Sequence, residues 1–394
     1  MKKILSLDIK YSGIQILYYI AWSGILGYAS VYLLDKGFSN SVIGTVLAII
    51  SMLSLILQPI AGSFVDKSQH IKARELAIIL IAISVVFSIC LYFLKEASIL
   101  LLLLFIGIAS ALYTILPLLN SMAFIFEKYN IAINFGLARG LGSAAYAIAS
   151  ILLGYLVEDV GASVLPLVYG SFNVLLIILT YSFVVPKSER KQIVEEEEEV
   201  HNELTLIEFA KKYKKFVAFI IGSVLVYSSL SFLNNFFIQV ITPIGGTESD
   251  MGTAVFIAAM LELPAMAMFT RFSEKFGCVK LIRLSTIMFI VKACITAIAP
   301  NMAIIYVAQC FQLLSYAILT PGSTYYANMV VSEADRTKGQ SLVSMGIAGS
   351  SIIASLAGGA LIDMIGVKTV LYIGVILSAI GAVIVNASLE KNIK

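Results

Sequence analysis

Long apolar runs parted by short polar breaks set the pattern of this chain. Each run can cross the hydrocarbon core of a bilayer, which takes about 20 residues of helix. They fall near 12–34, 42–61, 76–94, 98–119, 135–157, 163–185, 216–242, 251–270, 281–299, 302–325, 341–362 and 367–388. Lipid offers backbone N–H and C=O groups no partners, so each run must satisfy its own, which only a helix does within one segment. The pattern therefore predicts an all-α membrane protein of twelve transmembrane helices. The first run follows Lys2, Lys3 and Lys10 and is longer than the apolar stretch of a cleaved leader, so a retained helix is expected.

Composition agrees: 59% of the 394 residues are hydrophobic and 13% charged, against about 25% charged in soluble domains. The placement of charge says more than the net +3. Of the 27 Lys and Arg, Lys36, Lys95 and Lys368 fall in alternate breaks, Arg139 and Lys292 fall well within runs, and the rest lie in or at the edge of breaks of the opposite parity. The positive-inside rule then predicts cytoplasmic termini and a cytoplasmic central loop in a multi-pass inner-membrane protein. The bilayer is the expected partner and nucleic acid is not. Cys90, Cys278, Cys294 and Cys310 stand singly without a CxxC pair, so neither a disulfide framework nor a metal site is expected.

The longest polar stretch, 186–215, parts six runs from six and predicts an N-terminal bundle at 1–185 and a C-terminal bundle at 216–394. It holds the acidic block Glu195 to Glu199, read as a solvated linker, and Thr205-Leu-Ile-Glu208, a capping box that opens a short helix. The halves repeat. Ile148-Ala149-Ser150, Gly154, Glu158 and Gly161 recur 205 positions later as Ile353-Ala354-Ser355, Gly359, Asp363 and Gly366. Duplicated six-helix units of this kind build transporters whose solute site lies near the midplane. Gly136-x-x-x-Gly140 is read as a close-packing stripe.

After the second run stands Gly62-Ser-Phe-Val-Asp66-Lys67, followed by His70, Lys72 and Arg74. Together with the twelve runs, this resembles the cytoplasmic signature of the major facilitator superfamily, a fold of two pseudo-symmetric six-helix bundles. The resemblance implies a conformational latch in which Gly62 permits close helix approach and Asp66 accepts bonds from a helix N-terminus or cation. Ser51-Met-Leu-Ser54 through Gln58-Pro59 and Phe135-Gly136-Leu-Ala138-Arg139-x-x-Gly142 are similar to the lactose permease-like branch, the oligosaccharide–proton symporters. That likeness implies that Arg139 bonds sugar hydroxyls and that Tyr146 stacks on the sugar ring. Aromatic-acid and nucleoside symporters share much of the pattern around Arg139, so it leaves the solute open.

The departures are equally specific. Where the branch has a glutamate three residues after a proline in its fourth helix, Pro117 is followed by Asn120; its tenth-helix histidine and glutamate are replaced at Gln312 and Ser315. Glu262 in Met260-Leu-Glu262-Leu-Pro264 matches the branch's eighth-helix glutamate, and Lys292 lies near where the branch has an arginine. Charges deep in a bilayer cost about 2.5–3.5 kcal/mol and normally face a bundle interior or cavity. The candidate solute-binding set is thus Asn120, Arg139, Tyr146, Glu262, Lys292 and Gln312. Glu262 is the candidate proton carrier, and Gly62, Asp66 and Lys67 the candidate gate. Each has an ordinary alternative: an ion pair, a packing ring, or for Lys292 a stem that snorkels to the interface. Asn234, Asn235, Gln309 and Tyr316 are further polar residues that line a cavity or join helices.

His70 and His201 fall in polar breaks, so no imidazole relay is expected across the membrane. No GxxxxGK[ST] loop and no nucleophile–base constellation is present, which argues against ATP-driven transport, a cofactor and an enzyme. The leading expectation is a monomeric secondary transporter that imports a small polar solute, a sugar or glycoside, with protons by alternating access. Alternatives are an efflux antiporter or uniporter of aromatic acids, nucleosides or drugs, and a non-transporting membrane sensor.

Overall fold

The protein is described from a computed structural model covering residues 2–68, 71–126, 131–184 and 205–390. All regular structure among them is helical: α1 (Lys2–Trp22), α2 (Ala29–Asp35), α3 (Asn40–Lys67), α4 (Ala73–Phe93), α5 (Ile99–Ile125), α6 (Phe135–Val160), α7 (Leu165–Ser182), α8 (Leu206–Lys212), α9 (Lys214–Asn235), α10 (Phe237–Ile241), α11 (Glu248–Ala267), α12 (Phe269–Phe276), α13 (Cys278–Ile298), α14 (Met302–Cys310), α15 (Tyr316–Val330), α16 (Arg336–Ile365) and α17 (Val367–Ser388). Eleven helices are long and apolar enough to span a membrane, and the pair Leu7–Gly27 and Ala29–Asp35, bent by 46°, supplies the twelfth. The bend follows a π-helical turn at Ser23–Gly27. The tenth span, Met302–Val330, is interrupted by a 3-10 turn at Phe311–Leu313.

Burial is inverted relative to a water-soluble protein. Phe93, Ile99 and Tyr181 are more than 70% exposed, whereas Gln15, Ser84, Asn173 and Thr180 are wholly buried. Large apolar side chains face outward because lipid tails, not water, solvate them.

The described residues form two compact units, one drawn from Met1–Phe38 and Ile49–Glu197, the other from Ser39–Ala48 and Glu198–Lys394. In the N-terminal unit α1 packs on α6 and α7, and α4 on α5 and α7. Lys10 Nζ donates to Ser182 O at 3.1 Å, joining the start of α1 to the end of α7. Lys36 Nζ donates to Ser163 Oγ at 2.7 Å, joining the end of α2 to the turn before α7. The bent first span and α7 therefore run antiparallel over the full height of the unit.

In the C-terminal unit α9 packs on α16 and α17, and α13 on α15 and α17. The first turns of α3 also belong to it. Asp363 of α16 accepts hydrogen bonds from Ser41 N (2.7 Å), Ser41 Oγ (2.6 Å) and Asn40 Nδ2 (2.8 Å), so a carboxylate answers the open donors at the start of α3. The two helices nearly touch there: a Cβ on Gly44 would lie 2.1 Å from Ser355 O. At the other end, Thr205 and Glu208 form the expected capping box of α8. Lys212 Nζ and Tyr213 Oη donate to Asp335 at 2.7 and 2.8 Å, and Ser332 Oγ does so at 3.0 Å. These bonds hold the Asp335 carboxyl below the usual carboxylate range and raise the Lys212 ammonium.

The repeat is visible in the backbone. Gly161 ends α6 at φ 85°, ψ 159°, and Gly366 ends α16 at φ 80°, ψ 155°; each N–H bonds the carbonyl four residues back. A side chain would strain both turns. The close-packing stripe expected at Gly136 and Gly140 is not realised, because a Cβ at either would meet nothing within 4 Å. His70, His201 and the block Glu195 to Glu199 lie outside the described residues.

Candidate functional site

In the N-terminal unit the site is built from α1, α5 and α6. Arg139 lies in the second turn of α6, half-buried, and donates from Nη1 to Ser143 Oγ at 2.8 Å. Its guanidinium carbon stands 4.4 Å from the ring centre of Tyr19 on α1, a cation–π arrangement. Gly142 makes this possible: a Cβ there would lie 2.6 Å from Tyr19 Cδ2, so only glycine lets α1 bring the ring under the guanidinium. One helical turn earlier on α1, Gln15 Nε2 donates to Tyr11 Oη (2.9 Å) and Asn120 Oδ1 (3.0 Å). Asn120 follows Pro117 within α5. The Gln15 Oε1, fully buried, has no hydrogen-bond partner among the described residues.

Tyr146 shares a face of α6 with Arg139, seven residues and about 10 Å along the axis. Its hydroxyl borders the π-helical turn, where a Cβ on Gly27 would lie 3.7 Å from it. Ser150, one turn on, bonds Ser23 Oγ at 3.1 Å, and its carbonyl accepts from Tyr28 Oη at 2.6 Å. The irregular turn of the first span is thus fixed against the stripe that carries Arg139 and Tyr146. Beyond it Trp22 and Tyr113 meet edge to face at 4.6 Å.

In the C-terminal unit α11, α13 and the broken tenth span converge. Gln312 Nε2 donates to Glu262 Oε1 at 2.6 Å. The Lys292 ammonium donates to Gln312 Oε1 and, at 3.0 Å, to Gln309 Oε1. Gln309 and Gln312 straddle the change from α14 to the 3-10 turn, in which side chains three apart eclipse; this aims both amides at Lys292. Ser285 Oγ bonds Ser315 O at 2.8 Å and ties α13 to the break. Lys292 is 3% exposed, so it is held inside and does not snorkel. On its other flank, a cleft with about 370 Å³ of empty space, mouth included, runs between α9, α13 and α17, lined by Phe232, Leu233, Phe289, Thr296 and Leu371.

The candidate residues thus group as Asn120, Arg139 and Tyr146 in one unit and Glu262, Lys292 and Gln312 in the other. Asn235 bonds Ser355 Oγ at 2.7 Å within its unit, and Asn234 is exposed. At the end of α3, Asp66 and Lys67 are exposed, with no side-chain hydrogen bond or ion pair among the described residues. A Cβ on Gly62 would meet nothing within 4 Å, so close helix approach is not what this glycine provides here. Sequence reasoning missed Gln15, Tyr19 and Ser143. The available signals were a lone amide in an apolar run and a hydroxyl four residues from an arginine in an apolar run. No group of His, Cys, Asp and Glu able to hold a metal ion occurs among the described residues.

Two bundles of apolar helices, each with polar and charged groups held in its interior, define a polytopic transporter of the major facilitator type. The chain belongs to the MFS_1 like family, whose model matches residues 8–373. It is 22% identical to the maltose permease of Geobacillus stearothermophilus over 349 residues, 88% of this chain and 86% of that one. It is also 22% identical to the uncharacterized transporter YwbF of Bacillus subtilis (strain 168), over 94% of this chain and 90% of the relative. Its fold matches a variant of the nucleoside transporter NupG with a TM-score of 0.83, at 16% identity, over 98% of this chain and all of that one. A bacterial homologue of ferroportin in an inward-facing state matches at 0.71, with 14% identity and 98% coverage of both chains. Relatives and structural neighbours alike are membrane transporters, not enzymes.

Proposed function

We propose that the protein is a proton-coupled symporter of a small polar solute, a sugar or glycoside, which works by alternating rocking of 1–185 against 216–394. The observation that carries this reading is Glu262, a carboxylate within the membrane-crossing helix Glu248–Ala267, bonded to one end of the Gln312 amide whose other end holds Lys292. A carboxyl so placed changes protonation when its surroundings change, which a coupling group must do between inward and outward states. Arg139, Asn120 and Tyr146 supply the guanidinium, amide and ring that bind hydroxyls and a sugar face, with Tyr19 as an added ring. The match to a maltose permease over most of both chains supports the solute class.

The latch reading of Gly62, Asp66 and Lys67 needs a conformation in which Asp66 gains a partner. Both termini are assigned to the cytoplasm of a bacterial inner membrane by the one-sided Lys and Arg. Cysteine labelling in intact cells tests this: positions 36, 95 and 158 react from outside, and labelling of 338 from outside reverses the orientation. Uptake of labelled sugars, nucleosides and aromatic acids into energised vesicles, with and without a protonophore, tests the function. Protonophore-sensitive accumulation of a sugar is expected; accumulation that ignores the protonophore removes proton coupling, and preference for a nucleoside replaces the solute class.

A further inference from the structure

Arg139 brings a cation, half-buried, into a membrane-crossing helix, yet no carboxylate stands within ion-pair distance of it among the described residues. It makes one hydrogen bond, to Ser143, and lies over Tyr19, so most of its five N–H donors are unspent. The acid placed at the start of α6, Asp8, has its Oδ1 engaged by the backbone N–H of Asn134 at 2.9 Å. Gln15 and Asn120 are neutral amides joined to each other. The N-terminus of α6 lies about one turn away and adds positive potential of its own.

In the C-terminal unit, by contrast, carboxylate and ammonium answer each other through Gln312. Moreover, the repeat places Ser344 where the N-terminal unit has Arg139, so the cation is no requirement of the shared architecture. A charge held inside a membrane protein is normally paired in at least one state of its working cycle. Building on the assignment of Arg139 to the solute site, we infer that the solute is itself an anion, a ring-bearing molecule with a carboxylate or phosphate whose oxygens take the free edge of the Arg139 guanidinium. Planar two-oxygen groups suit that edge best. Tyr19 backs the guanidinium from one face and leaves its edge open, and Tyr146, farther along the same stripe of α6, is placed for the ring of the solute.

Matched probes separate charge from shape. Purified wild-type protein is titrated with 4-nitrophenyl glucuronide against 4-nitrophenyl glucoside, and with glucose 6-phosphate against glucose, at constant ionic strength. Benzoate and inorganic phosphate serve as bare anions in thermal unfolding. The charged member of at least one pair is expected to bind about tenfold tighter or more. A bare anion should raise the melting temperature of the wild type, less so that of Arg139→Lys, and not that of Arg139→Gln. Equal or tighter binding of the neutral members, or bare-anion stabilisation that is absent in the wild type or persists in Arg139→Gln, overturns the inference. The pairwise comparison in the wild type stands even if Arg139→Gln does not fold. Proton coupling is judged separately: uptake of the charged probe that ignores a protonophore removes the symport reading and leaves the anion inference intact, whereas protonophore-sensitive uptake of only neutral members does the reverse.

Discussion

The two units hold the charges of their membrane-crossing helices in opposite ways. In the N-terminal unit a permanent cation, Arg139, is surrounded by neutral groups: the Ser143 hydroxyl, the Tyr19 ring and the Gln15–Asn120 amide pair. In the C-terminal unit Glu262 and Lys292 are of opposite sign, both can gain or lose a proton, and one amide joins them. A permanent charge with open donors is suited to recognition, because its state never varies. A linked acid and base are suited to a change of state, because altering either one changes what the other needs. On the proposed function, this difference gives solute binding chiefly to one bundle and coupling to the other.

The comparison breaks first at Glu262. Replacement Glu262→Gln is expected to bring the accumulation ratio in energised vesicles down to about one, while counterflow exchange survives, since the amide stands in for the protonated acid. Retained uphill accumulation would take coupling out of the C-terminal unit.

Next comes the mutual dependence of the pair. Lys292→Met strands a half-buried carboxylate and two amide carbonyls and is expected to cost about 1–3 kcal/mol in thermal unfolding. Adding Glu262→Gln should recover a sizeable part of that loss, a coupling that a double-mutant cycle measures directly. Additive losses would mean that the two charges do not sense each other.

On the other side, Arg139→Lys keeps the charge and removes the fork. Solute affinity should fall about tenfold or more, with folding unchanged, as read by equilibrium binding. Tyr19→Leu should weaken binding by a smaller factor, about two- to fivefold, the worth of one cation–π contact.

The smallest effect lies outside the membrane. The bonds from Lys212 and Tyr213 lower the Asp335 carboxyl and raise the Lys212 ammonium, so their hold on α8 is complete from about pH 4 to about pH 10. It is lost as pH falls through the lowered value of Asp335, and again as pH rises through the raised value of Lys212. A fluorophore on α8 should report this loosening in the wild type and be flat across the acid limb in Asp335→Asn.

The span count and the two-bundle architecture were legible because apolar length is dictated by the bilayer, which leaves little room for tertiary context to override it. Arg139, Glu262 and Lys292 were legible for the same reason, since a charge in an apolar run is conspicuous. Tyr19 was not: it lies in the aromatic stretch Tyr18-Tyr19-Ile-Ala-Trp22, and only the gap at Gly142 tells it from its packing neighbours. Nor was the convergence of Gln309 and Gln312 on Lys292 readable, because no glycine or proline announces the 3-10 turn that aligns them. Gly136 and Gly140 misled because the spacing of small residues shows that helices can approach, not that any do.

The Gln312 amide has two unlike ends, Nε2 toward Glu262 and Oε1 toward Lys292. Unlike an imidazole, it neither accepts nor releases a proton in the physiological range, so nothing can hop along it. In electrical language it is an insulator between two terminals. What it transmits is polarity: an ionised Glu262 asks for the N–H end, while a protonated one can itself donate and favours the amide turned about, which faces its N–H end toward the ammonium. News of a proton can therefore cross from α11 to α13 while the proton stays where it landed.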